Sequence, residues 1–192
     1  MGRGQSLGTG RSSQTGRRVT PVGRVIRQAT FEDRDAILAV VRDAFSDGPG
    51  DGHEEIDIVE STWLLDAAVL ELELVAIHHG EVVGHVLTAF GDLGGRQVAG
   101  VAPLAVRPSS QGVGVGTELM TELLHSAQLA GLPLIVLLGS PAYYRRFGFE
   151  LAGPLGIFYR PDGVANPHFQ VCRLTNYDPS WYGDFVYCWE GA

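Results

Sequence analysis

The sequence feature that most constrains this chain is a glycine-rich turn at residues 111–116, between an apolar stretch and an amphipathic one. The turn reads Gln-Gly-Val-Gly-Val-Gly and contains no acidic residue. The apolar stretch that starts at Val98 predicts a strand, and the stretch after the turn repeats apolar residues at helical spacing as far as Ala130. Backbone N–H groups at such a helix start, together with the helix dipole, favour an anion. The sequence therefore predicts a phosphate- or pyrophosphate-binding turn, with Arg107 adding a positive charge beside it.

The helix predicted after this turn has one apolar face and a defined end. Its apolar residues recur at three- and four-residue intervals: Leu119, Met120, Leu123, Leu124, Ala127 and Ala130. Gly131 is placed to end the helix, and Pro133 prevents it from restarting at once. Glu118 and Glu122 fall on the other face. We expect the apolar face to pack on a sheet, which would hold the turn in a fixed position.

Two common nucleotide-binding motifs with the same strand–turn–helix order do not fit. A P-loop ends in Gly-Lys-Ser/Thr, and this chain contains no lysine. A dinucleotide-binding motif needs the spacing G-x-G-x-x-G and an acidic residue about twenty positions later, after a second strand. Here the glycines run G-x-G-x-G, and the next predicted strand, Pro133–Leu138, carries no acid. Both motifs are therefore disfavoured.

The rest of the chain predicts alternating strands and helices around this unit. Thr30 with Asp33 three positions later is typical of a helix N-terminus. The apolar face of that helix comprises Ala36, Ile37, Val40, Val41, Ala44 and Phe45. The other predicted elements are strands at Val25–Ala29, Leu72–Ile77, Val82–Phe90, Leu134–Leu138 and Phe169–Leu174, and a helix at Glu54–Ala67. His85 alternates with apolar residues, so we expect a hydrogen-bonded core histidine rather than a catalytic base.

Two separate segments resemble the GNAT superfamily of acyl-CoA-dependent N-acetyltransferases. Gln111-x-x-Gly114-x-Gly116 matches that family's motif Gln/Arg-x-x-Gly-x-Gly/Ala, and Leu104–Pro108 resembles its fourth strand and exit. Pro141–Phe149 reads Pro-Ala-Tyr-Tyr-Arg-Arg-Phe-Gly-Phe and resembles the family's short helix that ends in Tyr-x-x-x-Gly-Phe. The resemblance covers residues 25–151 and is similar to bacterial members with a PLAV…GxPAYYxRFGF pattern. Both motifs stand in the family's order and at its distance.

The resemblance implies an α/β (α+β) fold of the acyl-CoA N-acyltransferase type. Such a fold has a mixed, mostly antiparallel sheet of about 6–7 strands, flanked by about four helices, and its fourth and fifth strands splay apart. Pro103 cannot donate to a sheet ladder, so it belongs at an edge, at a bulge or where pairing stops. The splay is such a place. Leu104 and Val106 would then offer backbone groups to the pantetheine arm of coenzyme A.

The resemblance also implies acetyl-CoA as cosubstrate, no metal, and direct transfer of the acetyl group to an amine. The residues expected to bind the cofactor are Leu104, Ala105, Val106, Gln111, Gly112, Val113, Gly114, Val115, Gly116, Thr117, Ser140 and Tyr143. Tyr144, four positions before Gly148, stands where the family has its catalytic tyrosine and would protonate the departing thiolate. A ring that packs under the cofactor without a proton role is the alternative.

In this family a helix–loop–helix covers the acceptor site, which makes residues on both of its helices candidate substrate contacts: Phe45, His53, Glu54, Glu55 and Asp57. A solvated acidic helix start is the alternative. No general base is identified, and Glu54, Glu55, Asp57 or a chain of waters could serve. The aromatic residues near the end of the chain, Tyr177, Trp181, Tyr182, Phe185, Tyr187 and Trp189, either pack a terminal strand or line a substrate pocket.

Composition bounds the remaining alternatives. We expect one domain at residues 24–192 after an Arg-, Gly- and Ser-rich segment, residues 1–23, that is too polar to fold. The net charge of −8 argues against nucleic acid or an anionic membrane as partner, and it fits a cationic amine. The expected location is the cytoplasm, and a homodimer is one arrangement that the sequence leaves open. A non-catalytic acyl-CoA-binding module and a nucleotide-binding protein are the competing hypotheses.

Overall fold

The computed structural model describes residues 17–19, 23–47, 51–162 and 166–190. In these ranges the chain forms ten strands of one mixed sheet. They are β1 (Arg17–Val19), β2 (Val25–Gln28), β3 (Leu74–His78), β4 (Glu81–Leu93), β5 (Arg96–Val106), β6 (Leu134–Leu138), β7 (Glu150–Leu151), β8 (Ile157–Tyr159), β9 (Phe169–Arg173) and β10 (Gly183–Tyr187). Four α-helices accompany them in the same ranges: α1 (Arg34–Phe45), α2 (His53–Leu64), α3 (Val115–Leu129) and α4 (Pro141–Tyr144).

The sheet is mostly antiparallel, as predicted. Its order is β1-β2-β3-β4-β5-β6-β9-β7, and β10 pairs with both β4 and β8. Within the described ranges the parallel pairs are β5–β6 and β8–β10. The strand number exceeds the expected 6–7 because β1, β7 and β8 have only two or three residues each, too few for an alternating pattern to predict them.

The helices cover both faces of the sheet. Helices α1 and α2 pack on one face through residues such as Ile37, Val40 and Val59, against Val75 and Leu87 of the sheet. Helix α3 packs on the other face through the predicted residues Leu119, Met120, Leu123 and Ala127, with Leu124 partly buried. Ala130, also expected on this face, is exposed because it follows the last helical turn, and Gly131 ends the helix in the left-handed conformation. None of the described helices is long and apolar enough to cross a bilayer.

Asp33 ties the start of α1 to the sheet. Its carboxylate accepts hydrogen bonds from the Thr30 N–H at 2.8 Å and the Thr30 hydroxyl at 3.0 Å, which completes the predicted capping arrangement. Both of its oxygens also accept from the guanidinium of Arg27 in β2, at 2.6 and 2.8 Å. The Arg27 hydrogen bonds, with those from Thr30, lower the pKa of Asp33 to about 2.

Three residues of the segment expected to be disordered are ordered in the structure. Arg17–Val19 pair antiparallel with Val25–Arg27, so the backbone of β1 finds its partners along the outer edge of β2. The structure therefore differs from the expectation at these three residues, whereas Gly23, the other described residue of the segment, does not test it. The remaining residues of that segment lie outside the described ones.

Strands β5 and β6 pair over a short length and then separate. The paired residues are Ala99–Val101 and Ile135–Leu137. Beyond them comes Pro103, which has no N–H to donate, and the β4–β5 register shifts between Val86 and Thr88 at the same level. The predicted splay is present, between the fifth and sixth strands as numbered here.

Candidate active site

A cavity of about 1030 Å³ lies in the opening between β5 and β6. At one end it is lined by the glycine loop (residues 111–116) apart from Val113, and at the middle by residues 101–104 and 106 of β5. At the other end α1 and α2 meet the last described residues of the chain. The fold thus brings the glycine turn, the splay and Tyr144 around one cavity, as the two sequence motifs predict.

The glycine loop presents a row of backbone N–H groups to this cavity. Gly112 and Gly114 have φ angles of +73° and +94°, a conformation that favours glycine. Within the described chain, the N–H groups from Gly112 to Thr117 have no hydrogen-bond acceptor, and Glu118 makes the first bond of α3, to the Gly114 carbonyl at 3.0 Å. The Gln111 N–H is not part of the row, since it donates to Pro108. The loop fits an anion, because its N–H groups converge at a helix start.

Strand β5 adds a second set of backbone groups. The Arg107 N–H donates to Val83 of β4 at 3.0 Å, and the N–H direction alternates along a strand. Leu104 and Val106 therefore turn their N–H groups away from β4, toward the opening. The Val106 carbonyl accepts the Gln111 side-chain amide at 3.0 Å, which attaches the glycine loop to β5.

Arg24, which no sequence pattern singles out, holds the glycine loop through hydrogen bonds. Arg24 is only 6% exposed, and its guanidinium donates to both carboxylate oxygens of Glu118, at 2.7 and 2.8 Å. The same group donates to the Val113 carbonyl at 2.9 Å. Arg24 therefore joins β2, the loop and the first turn of α3. Arg24 and Glu118 are 94 positions apart, and no local pattern in the sequence pairs them.

The prediction that Arg107 supplies positive charge beside the turn is wrong. Its guanidinium donates to Asp43 of α1 at 2.7 Å and to the Val82 carbonyl at 3.0 Å. These bonds hold it on the α1 side of the sheet. Instead, Arg146 lines the cavity, with its guanidinium 4.8 Å from the ring centre of Tyr143 and its Nε donating to the Tyr143 carbonyl at 2.9 Å.

Tyr143 and Tyr144 both line the cavity but face different parts of it. The Tyr143 hydroxyl lies against Gly116 at the start of α3, so close that a Cβ there would be 2.6 Å away. The Tyr144 ring packs directly on Gly139, where no side chain would fit. Burial raises the pKa of both phenols, that of Tyr144 to about 12. Because Gly139 follows the end of β6, and the β5–β6 pairing ends at Leu137, the contact with Gly139 places Tyr144 near the splay.

Most of the expected cofactor residues line the cavity: Leu104, Val106, Gln111, Gly112, Gly114, Val115, Gly116, Thr117, Ser140 and Tyr143. Ala105 and Val113 do not. The Ala105 side chain is buried on the opposite face of the sheet, with α1 and α2. The Val113 side chain is 61% exposed, because the loop turns it outward.

The expected acceptor residues divide by their position on α2. Phe45 of α1 lines the cavity, and so do Glu55 and Ile58, which lie three positions apart on one face of α2. His53, Glu54 and Asp57 are exposed and do not line it, because they lie on the solvent face of the helix. The acidic start of α2 is thus solvated at these three positions, and Glu55 is the acidic residue of α2 that reaches the cavity.

Some of the aromatic residues from Tyr177 onward pack a terminal strand, and others line the cavity. Phe185 of β10 is buried in the core, whereas Tyr187 and Trp189 line the cavity. Tyr177 and Trp181 pack at the edge of that core, and Tyr182 is exposed. Two further lining residues, Tyr159 and Glu190, carry no sequence signal, since they are brought together only by the pairing of β8 with β10.

Glu190 accepts hydrogen bonds from two donors at the end of the cavity near Val101. The Tyr159 hydroxyl donates to one of its carboxylate oxygens, and the Tyr187 N–H donates to the other at 2.9 Å. The Tyr187 hydroxyl donates to the Val101 carbonyl at 3.1 Å. Glu190 is therefore connected through Tyr187 to the point where β5 leaves β6.

His85 is a core residue, as predicted, and it does not line the cavity. Its Nε2 lies 3.2 Å from a carboxylate oxygen of Glu73, which also accepts the Trp63 indole N–H at 2.9 Å. Among the described residues, no group of three or more His, Cys, Asp or Glu side chains could hold a metal ion.

Comparison with known proteins agrees with this geometry. The model of the acetyltransferase (GNAT) family matches residues 36–149, which include both motifs. An uncharacterized N-acetyltransferase of Escherichia coli K12, YhbS, is 40% identical over 116 residues, covering 59% of this chain and 69% of that protein.

Two solved structures extend the likeness over most of the chain. Escherichia coli YhbS in complex with CoA has a TM-score of 0.75 and 32% identity, and the match covers 85% of this chain and 89% of that one. A GNAT family acetyltransferase from Brucella melitensis in complex with acetyl-CoA has a TM-score of 0.70 and 31% identity, covering 85% and 95%. Because the family model matches residues 36–149, which include the glycine loop and α4, the chain belongs to the GNAT acetyltransferase family.

Proposed function

We propose that this chain is an N-acetyltransferase that moves an acetyl group from acetyl-CoA directly to an amine, with both substrates bound together. The observation that carries the proposal is the row of N–H groups from Gly112 to Thr117, at one end of a cavity that also holds Tyr144. The similarity of this chain to two solved relatives, one in complex with CoA and one with acetyl-CoA, supports the same cofactor here. The proposal includes a cytoplasmic location.

The residues present fit coenzyme A. The glycine loop offers N–H donors and no acid to a pyrophosphate, and Arg146 adds a positive charge on the same side of the cavity. Leu104 and Val106 offer backbone groups of an unpaired strand edge to the pantetheine arm. When bound, acetyl-CoA supplies an activated acyl group as a thioester.

Groups of the protein orient the cofactor, polarise the acyl carbonyl and donate a proton to the leaving group. The glycine loop and β5 orient the cofactor, which converts an encounter of two molecules into a positioned one. An N–H of Leu104 or Val106 polarises the acyl carbonyl. Tyr144 donates its proton to the departing sulfur, and because burial raises its pKa to about 12, it keeps that proton throughout the neutral range. The chain contains no lysine, so no lysine can carry the acyl group as a covalent intermediate, and the proposal takes the transfer to be direct.

A thermal-shift comparison tests this proposal. Acetyl-CoA at about 100 times its Kd should raise Tm by roughly 5–10 °C, whereas ATP and NAD at equal concentration should not. Longer acyl-CoAs define the acyl chain accepted, and a panel of amines is then screened for release of the CoA thiol. Stabilisation by acetyl-CoA without turnover of any amine would favour a non-catalytic acyl-CoA-binding module. Stabilisation by ATP or NAD instead would favour a nucleotide-binding protein.

A further inference from the structure

We propose that Glu190, held by Tyr159 and Tyr187, binds the protonated amino group of the acceptor, which makes this protein selective for cationic primary amines. The inference rests on the proposed function and names the substrate class for the same cavity. It concerns a residue that neither the sequence motifs nor the family match, residues 36–149, includes.

The hydrogen bonds of Glu190 fix its carboxylate without neutralising it. The two donors, the Tyr159 hydroxyl and the Tyr187 N–H, are both uncharged. Within the described chain no arginine or histidine forms an ion pair with Glu190. Each carboxylate oxygen can accept more than one hydrogen bond, so an ammonium group can add to those already made. The result is an oriented negative charge at the edge of the cavity.

The partly exposed rings of Tyr159 and Trp189, which line the cavity with Glu190, also favour a cation. The Tyr187 and Trp189 rings stack with their centres 4.3 Å apart, and the Tyr159 ring centre is 6.3 Å from that of Tyr187. All three residues line the cavity. Aromatic faces attract ammonium groups, and the attraction grows when water is excluded. Phe45 and the carboxylate residue Glu55 border the same end from α1 and α2.

The charged residues that line the cavity are separated by sign. Arg146 lies beside Tyr143, whose hydroxyl reaches Gly116 at the glycine loop. Glu190 lies at the opposite end of the β5 lining, since Tyr187, which bonds to it, also bonds to the Val101 carbonyl. Glu55 is on α2, which contacts the turn that carries Glu190. The cavity is therefore electropositive where it would hold phosphates and electronegative where the acceptor would enter, and this arrangement favours one orientation of an anionic donor and a cationic acceptor.

Glu190 is also exposed, so it can pass a proton to water. In the proposed reaction the amine nitrogen forms a bond to the acyl carbon and the bond from that carbon to sulfur breaks. An ammonium group loses two protons on becoming an amide. One leaves to solvent through Glu190, and the other replaces the proton that Tyr144 gives to sulfur.

The variant Glu190→Gln tests the inference, because it removes the charge and keeps the shape. Its amide oxygen can still accept from the Tyr187 N–H, and its NH2 can donate to the Tyr159 hydroxyl oxygen. The probes are primary amines from methylamine to 2-phenylethylamine, with 2-phenylethanol as neutral counterpart, titrated into the protein by calorimetry. We expect amine affinity to fall about tenfold or more, with Tm and the acetyl-CoA thermal shift unchanged. Glu60→Gln, an equal charge change on the exposed face of α2, should alter none of these values.

Three results would overturn the inference. One is amine affinity in Glu190→Gln within twofold of the wild-type value. Another is 2-phenylethanol binding as tightly as 2-phenylethylamine, and the third is no binding of any amine to the wild-type protein. Failure of the proposed function is distinguishable from all three, because it appears as absence of the acetyl-CoA thermal shift, which the amine titration does not use.

Discussion

Tyr144 combines two properties that a proton donor in this cavity needs. Its ring is fixed on Gly139, just after β6 ends, and it lines the same cavity as the β5 residues that would hold the acyl group. Because burial raises its pKa from 10.0 to about 12, its protonated form, which the proposed role requires, persists to higher pH than that of an exposed tyrosine. Loss of activity through ionisation of Tyr144 is therefore expected only in strongly alkaline solution.

Removing the Tyr144 hydroxyl should affect chemistry and little else. We expect Tyr144→Phe to lower kcat about 100-fold, with KM for acetyl-CoA within a few-fold of wild type and Tm unchanged, because the ring that packs on Gly139 stays. Tyr143→Phe is the matched control. Its hydroxyl lies at the glycine loop, so that variant should change KM for acetyl-CoA more than kcat. Wild-type turnover by Tyr144→Phe would assign the residue a packing role.

At the scale of elements, the start of α3 depends on β2. The Arg24 guanidinium donates hydrogen bonds to Glu118 in the first turn of the helix and to the carbonyl of Val113 in the glycine loop. The positive charge of Arg24 offsets the negative charge of Glu118, so the glycine loop has no uncompensated carboxylate beside it. The N-terminus of α3 therefore keeps its preference for an anion although an acid occupies its first turn.

A double-mutant cycle tests this arrangement. Arg24→Gln leaves Glu118 uncompensated beside the anion site, so we expect affinity for acetyl-CoA to fall about tenfold or more. Adding Glu118→Gln removes the leftover charge and should recover most of that loss, a coupling that calorimetry with acetyl-CoA measures in all four proteins. Equal affinities in Arg24→Gln and in wild type would show that the pair has no effect on the loop.

At the scale of the whole molecule, stability in acid depends on Asp33, which links β2 to α1. Its pKa is lowered, so its contribution is complete above the unfolded-state pKa near 4 and is lost as pH falls through about 2. Asp33→Asn should lower the free energy of unfolding by about 1–2 kcal/mol at pH 7 and by less at pH 3. Urea unfolding at both values measures this. The exposed neighbour Asp35, changed to Asn, should show a smaller loss at pH 7.

The sequence predicts the parts of this molecule that have local signals. Strand β6 matches its predicted bounds, and the α3 face, the splay at Pro103 and the position of Tyr144 follow from periodicity, proline chemistry and two motifs. Helix α2 ends at Leu64 rather than Ala67, with Asp66 in the left-handed region just after it. Arg24 and Glu190 were missed because their partners are distant in sequence, and only the assembled sheet brings them together.

The two ends of the cavity differ in how the chain builds them. The end proposed for coenzyme A comes from one continuous stretch, β5 through α4, whose spacing is fixed by packing on the sheet. The opposite end is assembled from three segments far apart in the chain: α1 with α2, β8, and β10 with the turn after it. Substitutions of lining side chains in these outlying segments change the acceptor end without altering the sequence of the central stretch. Related chains with this architecture can therefore diverge in what they modify while retaining the same donor, because recognition of each is encoded in separate parts of the polypeptide.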